Sequence, residues 1–234
     1  PTRGAELLDV LRLASTDALP LYRQEKQFHR MGVELSRRTM ADWMITAATA
    51  CIPVYEAIER QLRGGPVALV DETPVQVMKE PGRANTKDSY TWAATGGAPE
   101  HPVVLYRYEP TRSGNVVREI LDGFEGYAQT DAFGGYDWSI ESLPGVVHVG
   151  CMAHMRRKFT DAANIGTNGS SAREALSLIA KIYAVERELA SWDRDGRFRA
   201  ERERRVRPLL EKLERWLKKK EAQVPPKTAL GKAV

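Results

Sequence analysis

The sequence predicts a mixed α/β protein, in which a sheet-containing middle follows a helical segment and precedes a helical region. Residues 1–64 and 164–234 repeat apolar residues at helical spacing. Residues 65–163 contain short segments rich in Val, Thr, Tyr and Trp, with Gly and Pro between them, and then enter a helix. The run Gly64-Gly65-Pro66 breaks the first helical pattern and marks the first boundary. We therefore expect three parts: 1–64, 65–163 and 164–234.

Composition excludes several classes of protein. Of 234 residues, 42% are hydrophobic and 28% charged, so the chain can bury a core and is not a disordered polymer. It has no run of about 18 uncharged apolar residues, so we expect no membrane association. Two cysteines, Cys51 and Cys151, cannot build a disulfide framework. A reducing compartment, the cytoplasm, fits best.

Charge is unevenly distributed along the chain. The net charge of +4 combines an acidic middle, residues 65–150, with a basic end, residues 151–234. Such asymmetry indicates a polyanionic partner together with a site that holds cations. The alternative is that the basic end is simply the solvated surface of helices.

The N-terminal part has the pattern of a helix-turn-helix. Pro20 suits the start of a helix, Gly32 ends it, and Ser36 provides an N-cap for a second helix. Arg37 and Arg38 then fall in the first turn, where recognition helices contact DNA. An ordinary helical hairpin that packs on a neighbouring domain is the alternative interpretation.

The middle part predicts a mixed sheet. Three strands come first: VALVDETPVQVM, SYTWAATGG and HPVVLYRYEP. A helix, NVVREILDGF, then precedes the strand GYAQTDAF, and the turn and short helix GGYDWSIESL precede the strand GVVHVGCM. A meander followed by alternating helices and strands is typical of a mixed α/β sheet.

The C-terminal part predicts helices. The segments AHMRRKFTDAAN, SAREALSLIAKIYAVERELASW and VRPLLEKLERWLKKKE each show an amphipathic pattern. Between the last two, DRDGRFRAERERR is either a charged link or an exposed helix.

Two acids follow apolar strand segments. Asp71 follows VALV and Asp131 closes GYAQT, so both are expected at strand ends. Carboxylates there suit Mg²⁺ or Mn²⁺, hard cations that prefer oxygen ligands. The alternative is that each Asp only solvates a turn. Glu72 is expected on the opposite face of its strand.

A second group of candidate residues spans the last predicted strand and its helix. His148, Cys151 and His154 have side chains suited to zinc, but no fourth ligand is nearby in the sequence, and packing is the favoured alternative. A basic cluster follows at once and indicates contacts with a phosphate backbone, with a solvated face as the alternative. The cluster comprises Arg156, Arg157 and Lys158.

Several ordered motifs resemble one family. The segments PLYRQEKQFHRMGVELSRRTMADW, DETPVQV, YAQTDAFGGYD, HVGCMAHMRRKF and PPKTALGKAV are similar to the bacterial DDE transposases of the insertion sequence 66 family. The resemblance implies a ribonuclease-H-like core with a C-terminal helical insertion. It identifies Asp71 and Asp131 with the first two metal-binding acids of the triad. It also implies Mg²⁺ or Mn²⁺, double-stranded DNA at transposon ends and targets, and a homo-oligomer at full length.

The third acid of that family, a Glu in an Asn-Asn-x-x-Glu-Arg word, is not found in these 234 residues. Five glutamates of the helical insertion lack the expected neighbours: Glu174, Glu186, Glu188, Glu211 and Glu214. We therefore expect a transposase fragment, truncated before its third acid, that does not complete strand transfer. The alternatives are a non-catalytic DNA-binding protein and a transposase remnant that folds poorly.

Overall fold

The computed structural model describes residues 10–11, 13–14, 16–131, 136, 140–165 and 169–234, with side chains from residue 171 in the last range. Two compact units divide the chain. The first comprises Pro1–Arg112 and Glu119–Gly126, and the second comprises Ser113–Arg118 and Tyr127–Val234. Within the described residues, no helix is long and apolar enough to cross a membrane.

The first unit begins with helices, as predicted. They are α1 (Leu21–Arg30), α2 (Arg37–Ala50) and α3 (Ile52–Arg63). Gly32 adopts φ +79° after α1, a conformation that favours glycine. The Ser36 hydroxyl then accepts a hydrogen bond of 3.1 Å from the amide of Thr39 and caps α2. Phe28 and Met40 are buried together with Val10, so α1 and α2 share a small core.

At the predicted boundary after α3, the backbone near Gly65 passes close to the backbone at Gly97. The amide of Gly97 donates a 3.0 Å hydrogen bond to the carbonyl of Leu62. A Cβ atom on Gly65 would lie 2.1 Å from the carbonyl oxygen of Gly97. A side chain at position 65 would therefore require the backbone to shift, which explains why a glycine occupies this boundary between α3 and β1.

Three antiparallel strands follow in the first unit: β1 (Val67–Gln76), β2 (Asp88–Gly96) and β3 (Val103–Glu109). One face is buried and carries Ala68, Val70, Trp92, Ala94 and Leu105. The other face of β1 and β3 is exposed, and alternate residues such as Leu69 and Tyr106 lie on it. The strands therefore follow the period-two pattern of a sheet with one covered face.

The remaining elements of the sheet come in the predicted order. They are α4 (Gly114–Ile120), β4 (Gly126–Thr130) and β5 (Val146–Gly150). Across the sheet the strand order is β3-β2-β1-β4-β5. The mixed α/β class is confirmed. The short helix predicted between β4 and β5 falls partly on residues 132–135 and 137–139, which lie outside the described residues.

The second unit continues with helices: α5 (Met152–Asn164), α6 (Gly169–Glu188), α7 (Gly196–Glu221) and α8 (Ala229–Ala233). Their core includes Phe159, Ile179, Leu213 and Trp216. The segment expected to be a charged link or an exposed helix is the first half of α7. Asp195 caps it by accepting a 2.9 Å hydrogen bond from the amide of Phe198, so the helix starts earlier than the apolar pattern shows.

Candidate active site

Asp71 lies in the middle of β1, and the expectation that it ends a strand is wrong. β1 continues to Gln76 because its residues pair with β2 beyond the acid; Asp71 itself is opposite Ala93. The side chain is on the exposed face of the strand. Its Oδ1 accepts a hydrogen bond of 3.0 Å from the amide of Glu72. The carboxylate is therefore presented to solvent from a rigid, paired strand.

Glu72 points to the opposite face of β1, as the period-two pattern predicts. Its side chain is only 5% exposed and forms an ion pair with the guanidinium of Arg112. Adjacent acids thus have different environments, one open and one covered. The covered acid is in an ion pair with an arginine, whereas Asp71 lies on the exposed face of the same strand.

Asp131 directly follows β4, as predicted, and is half-buried. The preceding residue, Thr130, is buried, and its carbonyl accepts a 3.0 Å hydrogen bond from the amide of Cys151. The Thr130 hydroxyl donates to the carbonyl of Asp131 at 2.8 Å. It also lies 2.8 Å from Nε2 of His148. Because the single hydroxyl proton goes to Asp131, Nε2 of His148 is the donor in the second contact.

His148, Cys151 and His154 lie around the junction of β5 and α5. The contact of His148 with Thr130 links this junction to the end of β4. Within the described ranges, no group of three or more His, Cys, Asp or Glu side chains could hold a metal ion. The zinc interpretation gains no support from these contacts, whereas His148 has a definite structural contact that the sequence pattern did not predict.

The two acids suit a hard divalent cation by their chemistry. Both offer carboxylate oxygens, one from an exposed strand face and one from a half-buried strand end. Four of the five glutamates named in the sequence analysis are in ion pairs. Each of the following is within ion-pair distance of an arginine or lysine: Glu186, Glu188, Glu211 and Glu214. These pairs agree with leaving the third acid unassigned.

The basic cluster of α5 is exposed. Arg156, Arg157 and Lys158 occupy three consecutive positions on the solvent side, directly before the buried Phe159. Three neighbouring cations on one helix can reach adjacent phosphates of a nucleic acid backbone. The structure thus leaves this predicted surface accessible in its own unit.

The two arginines of α2 differ from each other. Nε of Arg37 is 2.9 Å from Oε2 of Glu25, and its guanidinium carbon lies 5.5 Å from the ring centroid of Tyr22. Arg37 therefore joins α2 to α1. Arg38 is exposed in the first turn of α2. Of the pair, Arg38 is the side chain available for a ligand, a distinction that the sequence alone could not make.

The sequence profile of the family described as "Transposase IS66 family" matches residues 5–234. Two similar proteins come from Sinorhizobium fredii (strain NBRC 101917 / NGR234). Uncharacterized protein y4jD is 31% identical over 228 residues, covering 92% of this chain and 44% of that protein. Uncharacterized protein y4qI is 30% identical over 213 residues, covering 86% of this chain and 39% of that protein. This chain thus spans about two fifths of the length of these relatives.

Among solved structures, the Mos1 strand transfer complex is similar over 92% of this chain and 76% of that chain, with 14% identity and a TM-score of 0.23. A second similar structure is the simian T-cell lymphotropic virus intasome in complex with PP2A regulatory subunit B56 gamma. The similarity covers 61% of this chain and 48% of that chain, with 11% identity and a TM-score of 0.29. These TM-scores are too low to support an argument about this chain.

Proposed function

This chain belongs to the IS66 transposase family, and from that premise we propose that it provides part of the catalytic core for DNA transposition by metal-dependent phosphoryl transfer. The family match over residues 5–234 is the observation that carries the proposal. The strand order β3-β2-β1-β4-β5, with a meander at one end, supports a ribonuclease-H-like core. Asp71 belongs to β1, and Asp131 directly follows β4.

In this proposal Asp71 and Asp131 hold the divalent cation, Mg²⁺ or Mn²⁺. When bound, such ions polarise a phosphate and lower the pKa of the attacking water or 3′-hydroxyl. The chain's own contribution is positioning. Pairing of β1 with β2 fixes the backbone at Asp71, and the hydrogen bonds of Thr130 fix the backbone at Asp131. Rigid placement of ligands matters because phosphoryl transfer is catalysed largely by orientation and charge.

We further propose that these 234 residues alone do not complete strand transfer. The Asn-Asn-x-x-Glu-Arg word that the family resemblance leads us to expect is not in the sequence. Among the glutamates of α6 and α7, Glu186, Glu188 and Glu214 are held in ion pairs. Two carboxylates can bind a cation, but we do not expect them to hold two ions in the geometry of an in-line displacement.

The proposed partner is double-stranded DNA, both at transposon ends and at the target. Exposed cations on α2 and α5 support it: Arg38, Arg156, Arg157 and Lys158. Arg37 remains in the proposed surface, although its contacts with Glu25 and Tyr22 give it a structural role as well. We also propose cytoplasmic localisation and a homo-oligomeric assembly of the full-length protein.

The metal site is tested by titrating Mn²⁺ into the 234-residue chain and following the free ion by electron paramagnetic resonance. We expect Asp71→Asn and Asp131→Asn each to weaken Mn²⁺ binding at least tenfold, which corresponds to about 1.4 kcal/mol. The control is Asp193→Asn, an exposed acid in the connection between α6 and α7. Equal Mn²⁺ binding in all four proteins would refute the assignment of Asp71 and Asp131.

A second candidate function is DNA binding without catalysis, favoured by the exposed cations of α5. In that case affinity for duplex DNA falls steeply with salt in the presence or absence of Mg²⁺. The Asn variants of Asp71 and Asp131 then leave both DNA and metal binding unchanged. A dependence of Mn²⁺ binding on both acids excludes this candidate and supports the catalytic one.

A further inference from the structure

Helix α7 has two solvent-facing rows of charged residues that differ in character. With 3.6 residues per turn, positions separated by three or four residues fall on one side of the helix. The buried seam of α7 contains Val206, Leu213 and Trp216. The charged rows lie on the solvent side, away from that seam.

One row, here the ion-paired row, alternates in charge and neutralises itself. Arg207 lies 2.7 Å from Glu203 and 3.6 Å from Glu211, and Lys218 lies 2.6 Å from Glu214. Alternating pairs at this spacing stabilise a helix in water. The ion-paired row is therefore explained by the helix itself.

The other row, here the cationic row, consists of Lys212, Arg215 and Lys219. All three side chains are exposed. No acid of the described residues lies within ion-pair distance of any of them, in contrast to Arg202 and Arg205 further up the helix, which pair with Glu186 and Glu188 of α6. The cations of this row thus lack the ion pairs that Arg202, Arg205, Arg207 and Lys218 of the same helix have.

The stability of the helix does not account for the cationic row. Like charges three and four residues apart repel each other and destabilise a helix. Lys219 is in the last turn, where a cation is favoured by the helix dipole. Lys212 and Arg215 lie before the last turn and lack that compensation. A polyanion bound along the row would offset the repulsion.

We propose that the cationic row of α7 is a contact surface for the phosphate backbone of double-stranded DNA. From Lys212 to Lys219 the row rises seven residue steps, about 10.5 Å along the helix axis, which matches about three base-pair steps of about 3.4 Å along one DNA strand. It is separate from the cations of α2 and α5. The proposal rests on the proposed function only in taking DNA as the ligand.

The test compares two double variants on the same helix. Lys212→Gln with Arg215→Gln removes two charges from the cationic row, and Arg207→Gln with Lys218→Gln removes two from the ion-paired row. Glutamine keeps the helix propensity, and circular dichroism checks the fold. Fluorescence anisotropy then measures affinity for a random duplex over a range of salt concentrations.

We expect the cationic-row variant to flatten the slope of log K against log salt by about 1.8, since each phosphate contact contributes about 0.9. The control is expected to leave the slope unchanged. Equal weakening by both variants, which is an effect of net charge, would overturn the proposal, as would no weakening by either. Preserved Mn²⁺ binding that depends on Asp71 would show that only this inference had failed, whereas loss of that dependence would concern the proposed function.

Discussion

The carboxylate of Glu72 pairs with the guanidinium of Arg112 on the covered face of β1, one residue from the exposed carboxylate of Asp71. Consecutive acids of one strand therefore have opposite roles, since successive side chains of a strand point to opposite faces. The covered acid is held in an ion pair, and the exposed acid is the one that we propose as a ligand of the cation.

Exchange of these two acids for amides is expected to separate stability from metal binding. Glu72→Gln removes the carboxylate that pairs with Arg112 on the covered face, and we expect it to lower the free energy of unfolding by about 1–3 kcal/mol, because Arg112 remains partly hydrated. Asp71→Asn is expected to change stability by less than about 0.5 kcal/mol. Urea unfolding and Mn²⁺ titration measure the two effects. A variant Glu72→Gln that loses Mn²⁺ binding but keeps its stability would contradict this division.

Thr130 is expected to position Asp131. Thr130→Val keeps the shape of the side chain but removes the hydrogen bond to the Asp131 carbonyl and the contact with His148. We expect a loss of about 1–2 kcal/mol in the free energy of unfolding, since two hydrogen bonds of a buried side chain are removed. The affinity for Mn²⁺ should fall, while the number of Mn²⁺ ions bound at saturation should stay the same. Thr130→Ser is the control, because it restores the hydroxyl and should restore the affinity.

Arg37 and Arg38 are expected to respond differently to substitution. Arg37→Gln breaks an exposed ion pair with Glu25 and should cost about 0.5 kcal/mol of stability. Arg38→Gln should leave stability unchanged and reduce the salt slope of duplex binding by about 0.9. Thermal unfolding and anisotropy titrations check both. An unchanged slope for Arg38→Gln would favour the ordinary helical hairpin over a DNA-reading helix.

The extent to which sequence predicted the fold depended on the range of the interactions involved. The Ser36 cap, the Gly32 turn and the strands were predictable because each follows from local backbone preferences. The sequence was ambiguous about Asp71: the segment VALVDETPVQVM favours a strand that continues past it, whereas the end of the apolar run at Val70 favours a strand end, and the pairing with β2 continues to Gln76. A strand end is set by its partner strand, and that partner is distant in sequence.

The candidate site shows the same distinction. Strand periodicity correctly separated Glu72 from Asp71, but it could not identify Arg112, forty residues away, as the partner of Glu72. The residue types of His148, Cys151 and His154 left zinc open and favoured packing, but they could not identify the contact of His148 with Thr130 on another strand. Likewise, Arg37 and Arg38 are equivalent in sequence, and only the packing of α1 distinguishes them.

Glu80, in the loop between β1 and β2, is held by polar contacts with neighbouring side chains. From these contacts we predict that the stability of the fold depends on pH. Glu80 accepts hydrogen bonds from Tyr108 and, at 2.8 Å, from Ser89, and Arg83 lies 2.6 Å from its carboxylate. The hydrogen bond from Tyr108, followed by that from Ser89, holds the pKa of Glu80 below its usual range. The hydrogen bond to Glu80 is also the largest cause that raises the pKa of Tyr108.

Because the pKa of Glu80 is lowered and the pKa of Tyr108 is raised, their hydrogen bond stabilises the fold over a limited range of pH. A lowered carboxyl pKa stabilises the fold above the unfolded value, about 4.3, and that contribution is lost as pH falls through the folded pKa. A raised phenol pKa stabilises the fold below the unfolded value, about 10, and that contribution is lost as pH rises through the folded pKa. The hydrogen bond between Tyr108 and Glu80 should therefore contribute fully only between these limits.

Tyr108→Phe tests this window. We expect the variant to have a lower free energy of unfolding than the unmodified chain from about pH 5 to pH 9, with the difference shrinking towards either side. Urea unfolding at a series of pH values measures it. The matched control is Tyr106→Phe, two residues earlier on the same exposed face of β3 and 66% exposed, which should lower stability little at any pH. A difference for Tyr108→Phe that persists undiminished at both extremes would mean that the hydroxyl acts by packing, because loss of a hydrogen bond between titrating groups must follow their ionisation.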